Sequence, residues 1–174
     1  VRALSKRYRA SIVFMIASAD AQTGTTRLFG SQKGGPGKTT VAINAGVQLA
    51  KMGRDVCLLD ADPQRSMARW HADRIAAGWK PALACVEKQG NIRETILDLA
   101  GRYEEVVVDV AGRDSQEMRT GMLAADQFIV VVRPSQLDLD TLEHMSDVIE
   151  SAKAFNAALD VRGLLVQVPT NPSI

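Results

Sequence analysis

The sequence predicts an α/β fold, a mostly parallel sheet with helices on both faces. Three observations carry that reading. From residue 25 onward, short apolar runs alternate with longer amphipathic ones; two of those runs end on an aspartate; and a glycine-rich turn separates the first strand from the first helix. Strands alternating with helices pair in parallel, because each parallel neighbour needs a crossover lying on one face of the sheet. Ligands of such sheets bind beyond the carboxyl ends of the strands, where the glycine turn, Asp60 and Asp109 all fall.

Residues 26–30 form a short strand entering the turn, and residues 38–52 a helix with Val41, Ala42, Ala45, Leu49 and Met52 at helical spacing and Gly53 as its stop. Val56-Cys57-Leu58-Leu59, ending on Asp60, has the continuous apolar character of a strand buried on both faces. The spacing then predicts a helix over 66–77, a short strand over 82–86 and a helix over 91–100 capped by Asn91. Val106-Val107-Val108, ending on Asp109, repeats the apolar run with its terminal acid. A short helix over 116–124 precedes the β-branched strand 128–132, which stops at Pro134. Leu142, Met145, Val148, Ile149, Ala152 and Phe155 mark one stripe of a long helix, and residues 164–168 make the last strand. Trp79, Met118 and the aliphatic stripes are read as packing.

Composition narrows the function classes. The 174 residues suit one domain, and 46% apolar with 24% charged residues excludes a disordered chain. A formal charge of +1 advertises no nucleic-acid or acidic partner through a global field. Cys57 and Cys85 lack Cys-x-x-Cys spacing and are expected to fill the core in a reducing compartment; His71 and His144 are isolated, so protein side chains alone hold no metal. No apolar run reaches the roughly 18 residues of a membrane span. Residues 1–24 stand apart, with Arg2, Lys6, Arg7 and Arg9 against Asp20, then Ile12-Val13-Phe14-Met15-Ile16-Ala17 and small residues. That order mimics a secretory signal with a short apolar core; it is read instead as a basic, disordered extension, with Met15 the start of the chain proper. The domain is placed at 25–174.

The chemistry is concentrated in Lys33-Gly34-Gly35-Pro36-Gly37-Lys38-Thr39-Thr40. Glycines let backbone N–H groups converge on phosphate oxygens, and the following helix start favours anions. Lys38 is expected to reach the β- and γ-phosphates, the Thr39 hydroxyl to ligate Mg²⁺, and Thr40 to support the α-phosphate. The octet departs from the strict phosphate-loop pattern: Gln32 stands where the first glycine belongs, Lys33 is an additional cation, and Pro36 removes one donor. Mg²⁺ takes oxygen ligands and keeps several waters; Asp109, at the end of a buried strand, is placed to hold one of them. Asp60 alone also fits a strand-terminating cap, and Asp62 alone an Asp-Pro turn opener. Asn171 is a candidate adenine reader, and an Asn-Pro turn explains it equally well.

The octet, with Lys33 inside it, resembles the deviant Walker A motif of the ParA/MinD family of P-loop ATPases, the SIMIBI class. Asp60-Ala61-Asp62-Pro63-Gln64 is similar to the family's switch I, and Val106 to Asp109 with Val110-Ala111-Gly112 to its Walker B and switch II. Arg133-Pro134-Ser135 extends the match, which covers 26–174, and Trp70 with the compact length is most like small plasmid-type ParA proteins. The resemblance implies ATP and Mg²⁺ as ligands. It implies that Asp62 orients or deprotonates the attacking water and that Asp60 lines the metal and phosphate shell. It also implies that Lys33 reaches the nucleotide of a second subunit, giving an ATP-dependent homodimer whose hydrolysis, weak unless a partner stimulates it, releases the two copies.

On that resemblance the function is plasmid or chromosome partition, with a ParB-type centromere-binding partner, non-specific DNA and a cytoplasmic, nucleoid-associated location. The alternative is a MinD-like positioning or assembly ATPase acting on a membrane or a secretion or polysaccharide apparatus. A biosynthetic relative that phosphorylates a small carboxylate is disfavoured by Lys33. The chain is expected to lack the family's C-terminal helical region. No basic amphipathic helix stands at its end to anchor a membrane, and Arg65, Arg69 and Arg74 read as a solvated face.

Overall fold

The computed structural model describes residues 24–134 and 142–167. The N-terminal extension up to residue 23, Ser135, Asn171 and Val168 at the end of the last predicted strand lie outside the described residues. The elements follow in the order β1 (Thr25–Gly30), α1 (Lys38–Lys51), β2 (Val56–Ala61), α2 (Ser66–Ala76), β3 (Ala84–Glu87), α3 (Arg93–Ala100), β4 (Glu105–Val110), α4 (Gln116–Met122), β5 (Gln127–Val132), α5 (Leu142–Lys153) and β6 (Asp160–Leu165). Six strands make one sheet, β3-β2-β4-β1-β5-β6, and every pairing is parallel.

Alternation along the strands builds two cores. Successive side chains point to opposite faces, so Leu58 and Val107 meet Val41, Leu49 and Met67 of α1 and α2 on one face. Leu59 and Val108 meet Ile96, Met118 and Met145 of α3, α4 and α5 on the other. Every residue of β1, β2, β4 and β5 is buried, as a sheet covered on both faces requires. Full burial of one such Leu, Val or Met side chain contributes about 1.5–3 kcal/mol. The register sets Asp60 of β2 opposite Asp109 of β4, with Phe29 of β1 opposite Asp109 on its other side. Both acids therefore leave the sheet at one level, beside the turn that follows β1.

Six expectations are corrected, the first being Arg74, read as part of a solvated face: it is buried, donates to the Pro81 carbonyl at 2.7 Å and lies over the Trp70 ring. The last strand is Asp160–Leu165, so the apolar run 164–168 meets it only at its end. This edge strand pairs with β5 alone and is partly exposed, and it carries Asp160 and Arg162, which apolar character does not mark. The Val166 N–H still donates to the Val132 carbonyl at 2.9 Å, after which Gln167 turns left-handed at φ 56° and ends the strand. Asn91 lies one residue outside the α3 cap. Ile92 takes the cap position because its side chain is wholly buried, and Asn91 Oδ1 accepts from the Arg93 N–H at 3.1 Å. Phe155 lies past the end of α5 and is 85% exposed. Trp79, beyond α2, and Met52, at the C-cap of α1, are each more than half exposed.

Candidate functional site

The turn after β1 is shaped by its glycines and braced by one side chain. Gly35 and Gly37 hold φ near +91° and +90°, the left-handed region that glycine enters without steric cost. The Ser31 hydroxyl donates to the Lys33 carbonyl at 2.8 Å. Gly37 stands at the N-cap of α1 and, having no side chain, offers the first-turn N–H groups no side-chain acceptor; no acid stands in that turn. Those donors and the positive end of the helix dipole are left to the cleft beside them. The cleft has a volume of about 440 Å³; Lys33, Gly34, Gly35, Pro36, Gly37, Lys38, Thr39 and Thr40 line one side, and Asp62, Gln64, Ser66, Trp70 and Gly112 close it.

Lys38 joins the loop to the strand ends. Its ammonium, buried with only 5% of the residue exposed, donates to Asp109 Oδ1 at 2.5 Å and stands 3.7 Å from Asp62 Oδ2. Asp109 is fully buried, and its Oδ2 has no hydrogen-bond partner among the described residues. Burial pushes the Asp109 carboxyl above the ordinary carboxylate range, while the charge and hydrogen bond of Lys38, and after them the Thr39 side chain, pull it back.

Asp60 and Asp62 divide the work of holding the next segment. Asp60 Oδ2 accepts from the Ala68 N–H at 2.8 Å and Oδ1 from the Asp62 N–H at 3.1 Å, tying the end of β2 to the first turn of α2. Burial raises the Asp60 carboxyl, and these two backbone donors lower it in part. Asp62 Oδ1 accepts from the Gln64 N–H at 2.8 Å, which is the Asp-Pro turn read from the sequence. Its other oxygen faces Lys38. Asp62 is thus a turn former and a cleft carboxylate at once.

The structure brings together Lys33, Lys38, Thr39, Thr40 and Asp62 around the cleft, with Asp60 and Asp109 directly behind; Asn171 lies outside the described residues. Sequence reasoning missed Ile43 and Ser66 as cleft residues. It also missed the closeness of Gly112 to the loop: a Cβ on Gly112 would stand 2.7 Å from the Lys33 carbonyl oxygen and 3.1 Å from Gly34 Cα. A glycine just past an acid-ending strand was the available signal. Among the described residues, no group of three or more His, Cys, Asp or Glu is placed to hold a metal by itself. The Cys57 and Cys85 thiols are pushed up by burial, to about 11 and about 12; in register Cys57 stands opposite Ala84 and Cys85 opposite Leu58, so the two side chains lie on opposite faces of the sheet.

Residues 28–172 match the family described as CobQ/CobB/MinD/ParA nucleotide binding domain. The chain belongs to this family. Among relatives of this ParA/MinD-family chain, the "Maintenance of carboxysome distribution protein A" of Gloeobacter kilaueensis is 41% identical over 110 residues, 63% of this chain and 50% of that protein. This family member thus aligns with about half of that relative's length. Its fold is shared with a plasmid partition protein of Borrelia burgdorferi, at a TM-score of 0.69 and 15% identity, covering 86% of this chain and 81% of that one. It is also shared with an ATP complex of Cyanothece McdA, at a TM-score of 0.61 and 18% identity, covering 84% and 70%. No helix among the described residues is long and apolar enough to cross a membrane.

Proposed function

We propose that this chain binds ATP and hydrolyses it as a dimeric switch of the partition type. The observation that carries the proposal is one cleft that joins the glycine-capped start of α1 to Lys38 and Asp62, with Lys38 tied in turn to Asp109 behind it. The loop N–H groups and the Lys38 ammonium bind the β- and γ-phosphates. Asp62 orients the attacking water or takes its proton; the water oxygen bonds to the γ-phosphorus as the bond to the ADP oxygen breaks. Asp60 holds Asp62 through its backbone N–H. Thr40 supports the α-phosphate, and Asn171 is proposed as the adenine reader.

The donor set suits Mg²⁺. The Thr39 hydroxyl lines the cleft, Asp60 is a carboxylate at the strand end, and the unpartnered Asp109 Oδ2 is suited to accept from a metal-held water. Oxygen donors this few would leave the rest of the coordination to phosphates and water, and the ion would neutralise charge on them. Lys33 of one copy is proposed to serve the nucleotide of the other, which would couple hydrolysis to dimerisation.

Plasmid or chromosome partition, with a ParB-type partner that stimulates turnover and non-specific DNA as the track, is the reading supported by the partition proteins of the same fold. A positioning role is the second reading, supported by the carboxysome-distribution relative. The test is calorimetry with Mg-ATP, followed by turnover and sedimentation with and without DNA. ATP binding that Lys38→Ala abolishes, with Lys33→Ala losing ATP-dependent dimers and turnover, is expected. Absence of any heat with wild-type chain overturns the ATP reading. Salt-sensitive co-sedimentation with DNA supports partition, and its absence favours the positioning reading.

A further inference from the structure

We infer that Arg113, exposed on the rim next to the cleft-lining Gly112 and not itself one of the lining residues, is a further cation beside Lys33 and Lys38 that reaches the terminal phosphate of the bound nucleoside triphosphate. The inference rests on the ATP reading above. Gly112 packs on the backbone of Lys33 and Gly34 so tightly that no side chain fits between them, and it lines the cleft itself. Residue 113 therefore leaves the rim directly beside the loop, on a turn closed by the Arg113 N–H donating to the Ala111 carbonyl at 3.0 Å.

The charge at that place is uncompensated. Arg113 is exposed and makes no ion pair among the described residues. The acid next to it in the chain is already engaged: Asp114 accepts from Arg119 at 2.7 and 2.5 Å, and His144 Nε2 stands 3.5 Å from its Oδ2. Arg65, at the start of α2, differs in being held by both oxygens of Glu87. An arginine whose neighbouring carboxylate is committed elsewhere keeps its full charge for an anion. Its planar fork matches phosphate oxygens in a way that an ammonium does not.

The γ-phosphate is the assigned target because the turn carrying Arg113 follows β4, whose end holds Asp109 against Lys38. A contact made only to that group discriminates ATP from ADP, and a merely structural arginine does not. The experiment is calorimetry of wild type, Arg113→Ala and Arg113→Lys with Mg-ATPγS and with Mg-ADP, alongside thermal melts. Arg113→Ala is expected to weaken Mg-ATPγS about tenfold, with Mg-ADP affinity and melting midpoint unchanged and Arg113→Lys retaining part of the preference. An ATPγS-to-ADP affinity ratio equal to wild type in Arg113→Ala overturns the inference and leaves the ATP reading standing. Wild type that binds neither nucleotide overturns both.

Discussion

The Lys38 ammonium and the Asp109 carboxylate form a buried pair at 2.5 Å, in which only one carboxylate oxygen is satisfied. Burial alone raises the Asp109 carboxyl above its ordinary value of 3.8, and Lys38 opposes the rise. A native state that holds this proton more tightly than the unfolded chain gains stability in acid. It loses that gain as pH rises through the folded value. Removing Lys38 removes the opposing charge. Lys38→Met is therefore expected to cost about 3–5 kcal/mol at neutral pH and to steepen the fall in stability from mildly acidic to neutral pH. Urea unfolding at several pH values measures this. Asp109→Asn placed in the same background should remove the excess slope, and parallel curves for wild type and Lys38→Met would show that Asp109 is compensated elsewhere.

Gly112 makes a sharper demand on the loop. A methyl group there collides with the Lys33 carbonyl at 2.7 Å, and because the obstacle is backbone, the loop itself must move. Overpacking of this kind typically costs about 1–3 kcal/mol. Gly112→Ala is expected to lower the melting midpoint and to weaken nucleotide binding together, since the same displacement moves Gly34. Gly34 itself has open space where a methyl group would stand, so Gly34→Ala should leave the fold unchanged. Matching melts for Gly112→Ala and wild type would contradict the packing argument.

The polar end of the sheet carries a comparable constraint. Arg27 and Glu105, both buried, form an ion pair between β1 and β4, and Arg27 Nε donates to Gln127 Oε1 of β5 at 3.1 Å. Burial lowers the Arg27 guanidinium from its ordinary value, while Glu105 raises it. Glu105→Ala leaves a buried cation without its carboxylate and is expected to cost about 3–5 kcal/mol. Arg27→Met combined with Glu105→Met should cost less than Glu105→Ala, because no uncompensated charge remains. Denaturant midpoints of the single and double variants test the ordering; a double variant weaker than Glu105→Ala reverses it.

How legible each part was depends on whether its physics is local. The β2 and β4 runs are buried on both faces, so continuous apolar character marks them, and the aspartates that end them fall at one level because the register pairs Asp60 with Asp109. The loop was legible because its glycines and lysines act through backbone geometry. Arg27 in the middle of β1 was not legible as a buried residue, since its partner Glu105 is distant in sequence. β6 was displaced because an edge strand tolerates Asp160 and Arg162, whose side chains bond to each other at 2.7 Å instead of packing. The contact between Gly112 and Lys33 joins segments separated by the whole of the β2–β4 region, and its one trace in the sequence is the glycine itself, just past the β4 run.

The stripe on α5 shows how a periodic pattern overreaches and gives a direct measurement of where it stops. Met145, Val148 and Ala152 are buried in the core under β5. Phe155 continues their spacing yet is 85% exposed, because the helix ends at Lys153 and the chain departs from the helical path. Asn156 fixes the departure: its amide donates to the Met122 and Ala125 carbonyls at 2.9 Å each, pinning this turn to the end of α4. A ring left in solvent contributes little to burial, so Phe155→Ser is expected to change stability by no more than about 0.5 kcal/mol. Met145→Ala, which opens a cavity beneath the sheet, is expected to cost about 2–5 kcal/mol. Asn156→Ala strips two carbonyls of their donor and should fall between, at about 1–3 kcal/mol. Urea denaturation of the three variants distinguishes these cases. A Phe155→Ser loss as large as that of Met145→Ala would mean that the ring is covered in solution and that the turn after α5 is packed.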